Sequence, residues 1–162
     1  DLLDYVYGVE VGLDTHAHKN RSGEAMQNLL TPMIADLCNE VGLQCIPECT
    51  RRRLEQERYR PPMVDRKMDY VLCRPGQATG HVNIETNYFG VSGSKPDVIT
   101  GYFDRQELLR ADGWHFVLVT DGPAWQGMRS LLHEAVNRLD YVMNLDQVRR
   151  GMLRAVLQHV RQ

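Results

Sequence analysis

Asp69 and Glu85 stand on either side of a Pro75-Gly76 turn signal, in two short segments, KMDYVLC (67–73) and HVNIETNYF (81–89). Strand-like segments bounded by such a turn predict an antiparallel hairpin. With the turn centred on Gln77, the register sets Asp69 opposite Glu85 and Lys67 opposite Asn87. Directly opposed residues have Cβ atoms about 5 Å apart. Two carboxylates at that distance repel each other unless a proton is taken up or a cation lies between them. Mg²⁺ suits a site with few hard oxygen donors and several waters, and there it polarises a phosphate and activates a water.

Alternation along 81–89 sends Val82, Ile84, Thr86 and Tyr88 one way and His81, Asn83, Glu85 and Asn87 the other. A strand flanked on both sides places Glu and two Asn on one face only where that face lines a cleft. The plain alternative is an antiparallel face open to solvent. Asn87 has no charge and cannot act as a base near neutral pH, which leaves it to orient an attacking water.

An Asp on one strand, then Glu-x-Lys on the next, set between helices, is the pattern of the PD-(D/E)xK nucleases, and this chain resembles it with Asp69 and Glu85-Thr86-Asn87. Asparagine stands where the pattern has lysine. The segments GLDTHAHKNRSGEAMQNLL (12–30), NIETNYFGVSGSK (83–95) and VTDGPAW (119–125) are similar to those of the GATC-specific type II restriction endonucleases of the MboI and DpnII kind. The resemblance implies a Mg²⁺-dependent hydrolase of double-stranded DNA that works as a homodimer, with Asp69 and Glu85 on the metal. It also implies that Glu24 matches a helix glutamate that often completes such sites, the alternative being a surface acid near the helix start. Three lysines can replace the missing one: Lys19, Lys67, favoured by the hairpin register, or Lys95, favoured by the resemblance. Ser92, Ser94 and Lys95 form the run expected to meet phosphate.

The elements that must position these residues can be read from periodicity. Residues 2–11 predict a strand, followed by a turn-rich DTHAHKNRSG. A helix with Ser22 as N-cap then carries Met26, Leu29, Leu30, Met33, Ile34, Leu37 and Val41 on one stripe, either kinked or restarted at Pro32. Residues 43–49 predict a strand, at an edge because of Pro47. After the hairpin come a helix over 97–111, a buried strand over 114–120, a helix over 126–139, a short strand over 141–145 and a last helix from about 147. The fold class is α/β, a mixed central sheet flanked by helices.

The 162 residues, 43% hydrophobic and 25% charged, suit one domain, 1–162. The chain does not start with methionine and opens on a strand, which suggests the C-terminal portion of a longer protein. No segment has the roughly 18 unbroken apolar residues of a membrane span, and the start lacks a secretory layout. A soluble protein of the prokaryotic cytoplasm is expected. Four cysteines are too few for a disulfide framework, and Cys45, Cys49, His16 and His18 lack the spacing of a zinc knuckle.

The net charge of −2 rules out a generally basic DNA binder and requires a local patch. Sixteen of the nineteen basic residues are arginine, and seven basic residues fall between Arg51 and Lys67. Arg51, Arg52 and Arg53 open that run as candidate phosphate contacts, against the alternative of a solvated loop. Lys19, Asn20 and Arg21, in a loop ahead of a helix N-terminus, are a further candidate contact. His115 and His133 read as structural, His159 as surface, and Trp125 as either core or DNA contact. A repair or recombination nuclease of the same core, or a DNA-binding module with a decayed site, are the competing functions.

Overall fold

The computed structural model describes residues 19–90 and 96–161, so the strand expected over 2–11 lies outside the described residues. The first helix, α1 (Lys19–Val41), buries Met26, Leu30, Ile34 and Leu37 against the sheet. It starts earlier than expected: Lys19, Asn20 and Arg21 are already helical rather than in a loop, and Ser22 lies inside the helix rather than capping it. Lysine and arginine are good helix formers, so nothing in that stretch stops the helix. At Pro32 the helix neither ends nor restarts. The proline withholds a donor from the carbonyl of Asn28, and Asn28 is exposed, where water can take that carbonyl.

Strand β1 (Gln44–Cys49) leads into a short helix, α2 (Arg51–Gln56), where a loop was expected. Thr50 caps it, its hydroxyl accepting from the Arg53 amide at 3.2 Å, and Leu54 anchors it in the core. Such a cap is worth about 1 kcal/mol. The hairpin follows as β2 (Met68–Cys73) and β3 (Val82–Tyr88), in the register expected: Tyr70 pairs with Ile84, Val71 with Asn83 and Leu72 with Val82. Lys67 falls just outside β2, so its expected place opposite Asn87 is not part of the ladder.

Next come α3 (Pro96–Ala111) and β4 (His115–Asp121), whose buried positions are mostly apolar, with Gln106, Thr120 and Asp121 as the polar exceptions. The helix expected over 126–139 is divided into a 3₁₀ turn (Pro123–Gly127) and α4 (Arg129–Arg138). Gly122 explains the sharp turn ahead of it: φ is +116°, and a Cβ there would meet the Phe89 carbonyl oxygen at 2.4 Å. Strand β5 is only Val142–Met143. The last expected helix is also two, α5 (Leu145–Arg149), opened by an Asn144–Gln147 capping box, and α6 (Met152–Val160), separated at Gly151 with φ +97°.

The five strands of the described residues lie in the order β1-β2-β3-β4-β5, antiparallel across the first three and parallel from β3 to β5. This is the expected mixed sheet, with Pro47 on the edge strand. One face packs Ile46, Val71, Phe116 and Leu118 under α2, α3 and α4. The other packs Tyr70, Leu72, Ile84, Val117 and Val119 under α1, α5 and α6. Trp125 is core: fully buried, edge-on to Phe89, its indole N–H donating to the Thr120 hydroxyl at 2.8 Å. His133 is exposed rather than structural, and His159 is exposed as expected.

Candidate active site

The β2–β3 ladder stops at Tyr70 and Ile84, and beyond it the two acids take over the backbone. The Asp69 amide donates to Glu85 Oε2 at 2.7 Å, and the Thr86 amide donates to Asp69 Oδ2 at 2.9 Å. Each carboxylate therefore holds an amide of the opposite strand at the point where the strands part. The Thr86 hydroxyl adds a bond to Asp69 Oδ2 at 3.2 Å. Asn83, one pleat back on β3, donates from Nδ2 both to the Tyr70 carbonyl and to Glu85 Oε2. Amides donated to carboxylates are stronger than neutral hydrogen bonds, so both acids are held firmly.

The face carrying Asn83, Glu85 and Asn87 is not open to solvent, because α3 covers it and leaves Glu85 only 6% exposed. Arg105 of α3 forms an ion pair with Glu85 Oε1. One turn earlier on the same helix, the Tyr102 hydroxyl accepts from Asn87 Nδ2 at 3.1 Å. Between α3 and the segment 63–67 lies a cleft of about 590 Å³, lined among others by Lys67, Glu85, Tyr102 and Arg105.

Burial dominates the electrostatics. It pushes the carboxyl of Asp69 up from its ordinary range, against the opposing Thr86 hydrogen bonds. Glu85 is pushed up first by burial and then by the charge of Asp69, with Arg105, Asn83 and the Asp69 amide pulling the other way. Burial takes the Tyr102 hydroxyl up to about 12, so it stays protonated at neutral pH. A buried acid and a half-buried one that disfavour being charged together are a place where a hard divalent cation would gain much. Asp69 Oδ1 accepts no hydrogen bond among the described residues, which leaves it available as a donor. No group of three or more His, Cys, Asp or Glu suited to a metal occurs among the described residues. Asp69 and Glu85 could together offer a cation two carboxylates, with water completing its shell, a set of hard oxygen donors that would suit Mg²⁺ better than zinc. Cys45 packs on the α1 face and Cys49 in the opposite core, so those two thiols cannot share an ion.

The other expected residues are distributed as follows. Lys67 pairs with Glu48 of β1 instead of facing Asn87. Glu24 is exposed and lies in the second turn of α1, not the first. The residue of α1 that touches the site is Gln27, whose Nε2 donates to Thr86 Oγ1 at 3.2 Å. Arg51 and Arg53 sit on exposed α2 and pair with Glu55 and Glu57, while Arg52 is exposed. Ser92, Ser94 and Lys95 lie outside the described residues, as do the side chains of Lys19, Asn20 and Arg21. Sequence reasoning missed Arg105, Tyr102 and Gln27. Arg105 lies three residues after Tyr102, so the two share one face of the helix, but that spacing alone does not point to Glu85.

The sequence profile of the DpnII restriction endonuclease family matches residues 1–155. The chain is 36% identical over 157 residues to the type II restriction enzyme LlaDCHI of Lactococcus lactis subsp. cremoris, covering 94% of this chain and 52% of that protein. It is 31% identical over 164 residues to the type II restriction enzyme MjaIII of Methanocaldococcus jannaschii, covering 97% and 56%. To the type II restriction enzyme MboI of Moraxella bovis it is 30% identical over 151 residues, covering 90% and 50%. The chain spans about half the length of the curated relatives it matches. No solved structure matches it significantly.

Proposed function

Since the chain belongs to the DpnII restriction endonuclease family, we propose that it carries the catalytic part of a type II restriction enzyme hydrolysing phosphodiester bonds of double-stranded DNA. The observation that carries this reading is the pair Asp69 and Glu85 at the strand fork, each locked to the other's strand. A restriction enzyme must place its acids before DNA arrives, and amide bonds on both carboxylates do so at little further entropic cost.

Asp69 and Glu85 would hold Mg²⁺, whose contribution when bound is to neutralise phosphate charge and favour ionisation of a water. Asn87 has its Nδ2 committed to Tyr102. Its carbonyl oxygen is then the group that turns a water toward phosphorus, without taking the proton. Lys95 is proposed as a phosphate contact, and Glu24, Lys19, Asn20, Arg21, Ser92, Ser94 and the Arg51–Arg53 run as further DNA contacts or site completions. The GATC specificity and the homodimer rest on the resemblance to the MboI and DpnII kind and on the symmetry of a palindromic target. Among the described residues no helix is long and apolar enough to cross a membrane.

A specific observation favours one competitor. Arg105 already occupies Glu85, as it would in a DNA-binding module whose nuclease site had closed. Plasmids with and without GATC, incubated with increasing Mg²⁺, separate the readings. Cleavage confined to GATC plasmids supports the restriction enzyme, cleavage of both points to a repair or recombination nuclease, and binding without cleavage at any Mg²⁺ leaves the decayed module.

A further inference from the structure

Arg105 is an arginine whose side chain is only 12% exposed, and its partner Glu85 is buried to a similar degree. A guanidinium carries five N–H donors. Among the described residues its one ion pair is to Glu85, through Nη1, and the rest of the group lines the cleft. It is also the cation whose charge acts on both Asp69 and Glu85. Lys67 is turned to the surface with Glu48, and position 87 is a neutral Asn. The cation paired with an acid of this fork therefore comes from α3, while Lys67, although it lines the same cleft, is paired with Glu48.

A divalent cation on Glu85 competes with that ion pair for the same carboxylate. Once displaced, the guanidinium has N–H donors facing a cleft that opens beside the two acids. A phosphate diester offers two non-bridging oxygens that match the planar fork of arginine. We infer that Arg105 is a catalytic residue that passes from Glu85 to a non-bridging oxygen of the scissile phosphate, supplying the charge that Asn87 lacks. The inference rests on the nuclease reading above. In the hydrolysis a water oxygen bonds to phosphorus as the bond from phosphorus to the leaving deoxyribose oxygen breaks. The water loses a proton and the leaving oxygen gains one. Arg105 remains protonated throughout and offsets the charge that builds on the phosphate. One helix thereby serves both partners of the reaction, Arg105 on the phosphate and Tyr102 behind Asn87.

The test compares the natural-length protein with Arg105→Met and Arg105→Lys. Three quantities are measured: single-turnover cleavage of a GATC duplex in Mg²⁺, affinity for that duplex in Ca²⁺, and affinity for Mn²⁺ without DNA. Arg105→Met is expected to slow cleavage about 10²-fold or more, as loss of a charge-stabilising donor does, with duplex affinity within threefold. Its Mn²⁺ affinity is expected to hold or rise, because a competitor for Glu85 has gone. Arg105→Lys should recover at least tenfold of the lost rate and keeps the test open if the Met variant fails to fold. Cleavage by Arg105→Met at the parent rate overturns the inference. So does a slow variant whose Mn²⁺ affinity falls tenfold, since Arg105 would then only brace Glu85. A parent protein that cuts no duplex at all overturns the nuclease reading and this inference together, whereas a cutting parent with an equally fast Met variant overturns this inference alone.

Discussion

Asn87 on β3 and Tyr102 on α3 are joined by a 3.1 Å hydrogen bond in which the side-chain amide donates to the phenol oxygen. The bond uses one N–H of Asn87 and fixes the plane of its amide, whose carbonyl oxygen is the end proposed to meet a water. Tyr102→Phe removes the acceptor and lets the amide rotate. Cleavage is expected to fall about tenfold while stability drops by about 1 kcal/mol, the usual net worth of such a bond. Single-turnover kinetics alongside urea unfolding check this, and a rate unchanged within twofold rejects the orienting role of Asn87.

Glu85→Gln and Asp69→Asn are expected to abolish cleavage in Mg²⁺ with the fold kept, because each retains an oxygen to accept its backbone amide. Glu85→Ala behaves differently. It leaves the Arg105 guanidinium buried without its partner, and such a loss costs about 3–5 kcal/mol. Urea melts of Glu85→Ala against the parent protein measure that cost. Equal midpoints would mean that the Arg105–Glu85 pair carries no stability.

The Arg51–Arg53 run presents its guanidinium groups from exposed α2, two of them paired with acids on the same helix. Replacing all three with Ala is expected to weaken binding to every DNA sequence alike. The slope of log affinity against log salt should fall by about 0.9 for each phosphate that is no longer neutralised. Fluorescence anisotropy across a salt series in Ca²⁺ reads both effects. An unchanged slope assigns the run to surface charge alone.

Stability should also depend on pH through Asp121. This residue is fully buried, and burial pushes its carboxyl up to about 6, against the amides of Gly122 at 2.8 Å and Leu145 at 3.2 Å. Its folded pKa lies above its unfolded one, so the folded protein binds the proton more tightly. Stability therefore falls as pH rises from about 4 to about 6 and then levels off, by at most about 3 kcal/mol. Asp69 and Glu85 are pushed in the same direction and add to the slope. Asp121→Asn should cost stability at all pH values and shrink the difference between urea midpoints at pH 4.5 and 7. Added Mg²⁺ should shrink only the share of Asp69 and Glu85. A pH difference untouched by Asp121→Asn would show that the slope comes from other groups.

The hairpin register was legible because a Pro-Gly turn and strand periodicity constrain residues close in the chain, so the opposition of Asp69 and Glu85 could be read directly. The β4 boundaries were legible as an apolar run with turn residues at its ends, and those of α3 as a segment between Pro96 and Gly113 that carries spaced apolar residues. Arg105 was not legible as a partner of Glu85, because their meeting depends on how α3 docks on the sheet and no local spacing encodes that. Gln27 in place of Glu24 is the same failure by one helical turn. The division of 123–138 was missed because Pro123 suits a helix start equally well in a 3₁₀ turn, and the need for Gly122 to clear the Phe89 carbonyl arises only once those segments touch.

Spatial order and chain order coincide across the five strands. Among the described residues no strand has to be threaded between two that are already paired, so a chain folding during synthesis can add each of these strands to the edge of what exists. In that sequence of events the β2–β3 hairpin closes before α3 is made, and Asp69 and Glu85 face each other before the guanidinium of Arg105 has docked to offset them. Folding of the hairpin alone should then be faster in acid, where the two carboxyls are neutral, and pulse-labelled hydrogen exchange at two pH values would show whether the β2–β3 amides gain protection ahead of α3.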